Sequence, residues 1–165
     1  MTLELVKPWD LILTEPTIPV ETTEITALQS TFDEMHQLMR MMGGVGLAAP
    51  QVGINKSFFI AGNPDDTNYI VFINPEIVSL SEESSVYAEG CLSFPKMELE
   101  ITRPHWIEAK WLDRLGESRQ ARLSEMLSRV FLHEFDHLQG ICMVDRVSKL
   151  KSELAIKRMM KREFK

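Results

Sequence analysis

From Ile25 the apolar positions Leu28, Phe32, Met35, Met39 and Met42 recur at alternating steps of three and four, which predicts an amphipathic helix ended by Gly43. Short β-branched or aromatic runs at 58–60, 69–74, 77–80, 99–102, 106–112 and 117–123 lie between Gly, Asn, Pro and Asp and predict strands. The last two join across Asp113, Arg114, Leu115 and Gly116, a hairpin turn by composition. A second helix is predicted from Ser124, its cap, to about Gln139. Leu127, Val130, Phe131 and Leu138 mark its apolar positions, and Gly140 ends it. Beyond Ser148, Leu150, Leu154, Ile156 and Met160 stand among basic residues and predict a third, partly amphipathic helix. Pro8, Pro16 and Pro19 make residues 1–22 an extended arm laid over the rest. Helices set apart from a run of hairpin-connected strands predict an α+β fold with mostly antiparallel sheet.

A chain of 165 residues, 44% hydrophobic and 25% charged, suits one catalytic domain over residues 1–165. No apolar run approaches the roughly 18 residues that a membrane span needs, and Met1 to Asp10 lacks the pattern of a leader, so a cytoplasmic protein without a membrane partner is expected. The two cysteines, Cys91 and Cys142, are too few for a disulfide framework. The net charge of −6 conceals an asymmetry: residues 149–165 hold seven basic and two acidic residues. A basic terminal helix on an acidic body suits contact with a polyanion.

The chemistry concentrates in His133, Glu134, Phe135, Asp136 and His137, an H-E-x-x-H motif inside the second predicted helix. Residues four apart share a helix face, so both imidazoles can take one metal ion, while Glu134 can act as general base on a water beside it. A catalytic site needs a third protein ligand and an open position. The long metzincin pattern would supply a histidine where Met143 stands, and Glu153 and Glu163 lie in the basic tail. Upstream, Cys91 follows Gly90 in Glu89-Gly90-Cys91-Leu92-Ser93; as a thiolate it completes a two-nitrogen, one-sulfur set, and as a thiol it is a small buried apolar residue. The second reading suits Cys142. His36, within the first helix pattern, and His105, after Pro104, are paired with no other ligand type.

Three segments in this order resemble the peptide deformylase family: Gly44-Val45-Gly46-Leu47-Ala48-Ala49-Pro50-Gln51, then Glu89-Gly90-Cys91-Leu92-Ser93, then His133-Glu134-Phe135-Asp136-His137. The resemblance implies antiparallel sheets around a central metal-binding helix, with one N-terminal and one C-terminal helix. It implies that the formyl group is removed from the initiator methionine of new polypeptides and released as formate. One divalent metal ion is implied, Fe(II) in the cell and Zn, Ni or Co in preparations. Cys91, His133 and His137 would be its ligands. Glu134 would move the protons, with Gln51 and the Leu92 main-chain N–H facing the oxyanion. Gly44, Val45, Gly46 and Gly90 would line an extended N-formylmethionyl peptide, and Met126 and Val130 the pocket for its methionine side chain. By analogy with the family, the basic helix would meet the ribosome.

Glu89 and Arg103 are candidates for an ion pair behind the cysteine, Asp136 for orienting a neighbour, and Arg129 for charging the pocket rim. Thr14-Glu15-Pro16-Thr17, Gly43 and Leu132 depart from common family residues, which bears on subclass. The rival enzyme is another H-E-x-x-H amidase or peptidase. A closed four-ligand structural site lacks a fourth ligand, and a nucleic-acid-binding domain lacks an aromatic-basic motif or zinc-finger spacing.

Overall fold

The computed structural model describes residues 3–163. Helix α1 spans Gln29–Met41, strand β1 Gly46–Ala48, β2 Phe58–Gly62, β3 Tyr69–Leu80, β4 Ser84–Cys91, β5 Phe94–Pro104, β6 Trp106–Leu112 and β7 Ser118–Ser124. Helix α2 follows at Glu125–Leu138 and α3 at Lys149–Glu163. Strands β1-β2-β3-β6-β7 form one sheet in that order, and β4 and β5 form a separate two-stranded sheet. Every strand pairing is antiparallel.

Side chains of β2 alternate between the two faces of the larger sheet, and each face has its own cover. Phe58 and Ile60 pack with Phe32, Met35 and Met39 of α1. Phe59 and Ala61 pack with Val130, Phe131 and Leu138 of α2. Phe131 stands edge-on to Phe59 and Phe72, with ring centroids 5.2 and 5.3 Å away. A third cluster joins Met97, Leu99 and Ile101 of β5 to Leu13 of the arm and Met159 of α3. Helix α2 thus lies between the larger sheet and β5, touching β1, β2 and β7 on one side and β5 on the other. This burial brings the face that carries His133 and His137 into the interior.

The α+β class and the central helix agree with the sequence reading, while several boundaries differ. Helix α1 begins at Gln29, after turns over residues 25–28. The arm contains a 3-10 turn at Leu11–Thr14. The runs 69–74 and 77–80 are one strand, because Pro75 sits at an irregularity where the β3–β6 register shifts between Ile73 and Glu76. Asn74 takes a left-handed φ of 48° there, and its amide accepts from Val20 N–H at 2.9 Å and donates to Val20 O at 2.8 Å. Strand β4 has no counterpart among the predicted strands, since its residues are largely exposed and its existence rests on pairing with β5. Ser124 occupies the first cap position of α2, but its side chain makes no capping bond.

The arm braces the far end of α2. Thr17 N–H and Oγ1 both donate to Leu138 O, at 2.9 and 3.0 Å. Gly140 turns away with φ +72°, and a Cβ there would lie 2.7 Å from Thr14 C and O. The described part of the basic tail is helical, as predicted; residues 164–165 lie outside the described residues. Among the described residues, no helix is long and apolar enough to cross a membrane.

Candidate active site

Cys91 is the last residue of β4, and Leu92 and Ser93 form the two-residue turn that returns the chain to Phe94 of β5. The turn therefore holds Cys91 in a hairpin. Two separate elements meet here: Cys91 from this hairpin, and His133 and His137 from one face of α2. One ligand-type atom from each lies within 4.8 Å of the other two. Cys91 Sγ is 3.4 Å from His137 Nε2.

Each histidine is held by its other nitrogen. His133 Nδ1 meets Glu89 Oε2 at 3.0 Å, and His137 Nδ1 faces Cys142 Sγ at 3.9 Å. Burial pushes the Glu89 carboxyl up, but bonds from Arg103 and His133 outweigh it and hold its pKa at about 2. Burial also drives His137 well below the ordinary histidine range, which leaves a neutral imidazole suited to ligation. Burial opposes charge on His133, yet the Cys91 sulfur and the Glu89 carboxylate raise its pKa well above the usual value.

The support behind Glu89 is a buried network. Arg103 donates to both Glu89 oxygens, at 2.8 and 2.9 Å, and to Asp136 Oδ2 at 2.8 Å. Arg146 Nε donates to the same Asp136 oxygen at 3.0 Å. Arg129 lines the cleft, as expected, and its guanidinium is held from behind: it donates to Glu89 Oε1 at 2.7 Å, Ile101 O at 2.9 Å and Ser85 O at 2.8 Å. Its place one turn before His133 on α2 carries the signal for that position. Nothing local in the sequence joins Arg129 to β4 or β5.

Glu134 is nearly inaccessible, and its Oε2 has no hydrogen-bond partner among the described residues. Burial raises its pKa to about 7, against the pull of His133 and Arg103. A carboxyl that titrates near neutrality can both take and give a proton. Its approach to β1 depends on Gly46, where a Cβ would lie 2.4 Å from Glu134 Oε1. Gly44 makes similar room for Leu92, whose Cδ1 would be 2.7 Å from a Cβ at that position.

Gln51 belongs to the 3-10 turn Ala49–Val52 that follows β1. Ala48 N–H donates to its Oε1 at 2.8 Å, which commits the carbonyl and turns Nε2 towards the hairpin. Nε2 donates to Ser93 Oγ at 3.0 Å and lies 3.5 Å from Cys91 Sγ. The holding role of Ser93 and the position of Cys142 behind His137 were not foreseen in the sequence. Ser93 ends the Glu89–Ser93 segment with no sign there of its partner, while Cys142 belongs to no motif and reaches the site only through the tertiary fold.

These residues open onto a cleft of about 510 Å³. Its lining includes Gly44, Val45, Gly46, Gly90, Met126 and Val130 together with Gln51, Leu92, Cys91, His133 and Glu134. His137 lies behind the wall, fully buried. His36 is elsewhere, stacked on Tyr69 with ring centroids 4.2 Å apart.

The profile of the family described as Polypeptide deformylase matches residues 2–153. The chain belongs to the peptide deformylase family. A peptide deformylase from Bartonella tribocorum is 39% identical over 158 residues, covering 93% of this chain and 88% of that protein. The crystal structure of a peptide deformylase from Legionella pneumophila superposes with a TM-score of 0.91 at 32% identity, covering 99% of this chain and 96% of that one. A peptide deformylase from Acinetobacter baumannii, crystallised with Met-Ala-Ser, gives 0.83 at 34% identity, covering 89% and 99%. As a deformylase this chain is a metal-dependent hydrolase that removes the N-formyl group from the initiator methionine of new polypeptides. Cys91, His133 and His137 bring together the donor atoms that a metal ion needs.

Proposed function

We propose that Cys91 Sγ and the imidazoles of His133 and His137 hold one divalent metal ion, and that Glu134, Gln51 and Leu92 carry the deformylation around it. The observation that carries this reading is the convergence of those three ligand atoms within 4.8 Å beside the unpartnered Glu134 Oε2. One thiolate with two imidazoles suits Fe(II), the metal the family uses, and accepts Zn, Ni or Co in its place. When bound, the metal supplies Lewis acidity that brings the pKa of water down towards about 7.

Glu134 takes the proton of the attacking water and later gives it to the departing amine nitrogen. As charge develops on the formyl oxygen, Gln51 Nε2 and the Leu92 main-chain N–H donate to it. Gln51 needs little reorganisation for this, since Ala48 already fixes its amide.

Strand β1 is an edge of the larger sheet, and β4 is bonded on one side only, to β5. The cleft between these edges, bordered by Gly44, Val45, Gly46 and Gly90, suits an extended peptide recognised through its main chain. Met126 and Val130, from α2, offer apolar contact to the methionine side chain. That an Acinetobacter relative was crystallised with Met-Ala-Ser accords with this substrate.

Residues 1–165 are read as one catalytic domain working in the cytoplasm. The outer face of α3, with Lys149, Lys157 and Lys161, is proposed to meet ribosomal RNA.

Metal analysis after anaerobic purification tests the ligand set. Cys91→Ser weakens metal retention by more than about tenfold, since even an outer partner of a ligand costs that much. His105→Gln, at an exposed histidine outside the cluster, retains metal. Full retention by the Cys91 variant would remove the thiolate from the site.

A further inference from the structure

Between β5 and α3 runs a second groove, of about 700 Å³. Lys96, Met97 and Glu98 line both this groove and the active-site cleft, so the two adjoin at the start of β5. Arg162 Nη1 donates to Lys96 O at 3.3 Å and ties the last turn of α3 to that junction. The groove has an apolar floor, where Met97 and Met159 are buried, and a charged rim. Lys96, Lys151, Arg158 and Arg162 outnumber Glu98 and Glu100 on it, and all six side chains are exposed.

We propose that this groove is an extended substrate site, which takes the polypeptide downstream of the residues held in the cleft and favours acidic side chains there. The proposal rests on the reading of the cleft as the N-formyl peptide site. A chain that leaves the cleft over the exposed Lys96 and Glu98 side chains arrives at the groove. There its main chain runs over apolar floor while its side chains meet a rim with an excess of cations. The outer face of α3, where Lys157 and Lys161 flank Met160, is a separate surface and does not line this groove.

Formate release measured at low ionic strength tests it, using formyl-Met-Ala-Ser and two formylated peptides of about ten residues, roughly 33 Å when extended. Both longer peptides begin Met-Ala-Ser; one continues with alternating acidic residues and the other with lysines. The acidic peptide gives a KM about five-fold below that of the tripeptide, the scale of two or three exposed ion pairs, with kcat unchanged. In the doubly reversed variant Lys151→Glu with Arg158→Glu that gain falls below about two-fold, while the tripeptide is processed as before. Equal KM values for all three peptides, or a gain that survives the double reversal, would overturn the proposal and leave the reading of the cleft intact. No release from the tripeptide by metal-loaded protein would overturn both.

Discussion

At the scale of single residues, the site depends on groups whose freedom has been removed. Gln51 is held by Ala48 N–H on one side and Ser93 Oγ on the other, so its amide reaches the reaction already oriented. Gln51→Ala is expected to lower kcat about 10²- to 10³-fold, roughly 3 to 4 kcal/mol of barrier, with metal content unchanged. A loss below about three-fold in steady-state formate release would show that the amide does not serve the developing charge. The histidines and Glu134 were legible because helix periodicity alone puts positions 133 and 137 on one face. By its residue type Cys91 had two readings, and the arrival of β4 beside α2 brings its sulfur within 4.8 Å of ligand-type atoms of His133 and His137. Arg129 was legible as a neighbour of the site but not in its direction, because its partners, Glu89, Ile101 and Ser85, lie on strands distant in sequence.

At the scale of elements, α2 is positioned along its sides and at its C-terminal end. Its sides bury Phe131 against Phe59 and Phe72, and the arm closes its C-terminal end through Thr17 and the tight passage at Gly140. Gly140→Ala imposes a left-handed backbone on a residue with a Cβ and drives that Cβ into the Thr14 backbone. The first effect alone costs about 1 to 2 kcal/mol, so a loss of about 2 kcal/mol or more is expected in denaturant unfolding. An unchanged midpoint would show that the arm yields freely.

The same elements explain where sequence patterns ran out. Strand β4 lacks an apolar alternation because most of its side chains are exposed, and only hydrogen bonding to β5 makes it a strand. Pro75 suggested a break because it cannot donate to a ladder, yet Asn74 and a register shift absorb it within β3.

Across the whole molecule, two antiparallel sheets enclose α2, and the cleft opens between an edge of each. The basic helix α3 covers β5, so the face proposed to meet RNA lies on the element that also borders the groove beside the cleft. Lys157→Glu with Lys161→Glu is expected to reduce cosedimentation with ribosomes and to leave tripeptide deformylation unchanged. Undiminished cosedimentation at low salt would contradict a role for that face. The architecture was legible in outline because amphipathic helices and short bounded strands are local patterns. The relation of the cleft to the groove was not, since it arises where β5, the hairpin turn and α3 meet.

The most direct test of the account is formate release from formyl-Met-Ala-Ser by Fe(II)-loaded protein beside a Glu134→Gln variant, with metal content measured in both. Among the described residues, Glu134 is the one buried carboxyl at the site with an unpartnered oxygen and a pKa of about 7. The account predicts full metal occupancy in both proteins, with release by the variant at least about 10²-fold slower. Comparable release by the two would contradict the assignment of proton transfer to Glu134.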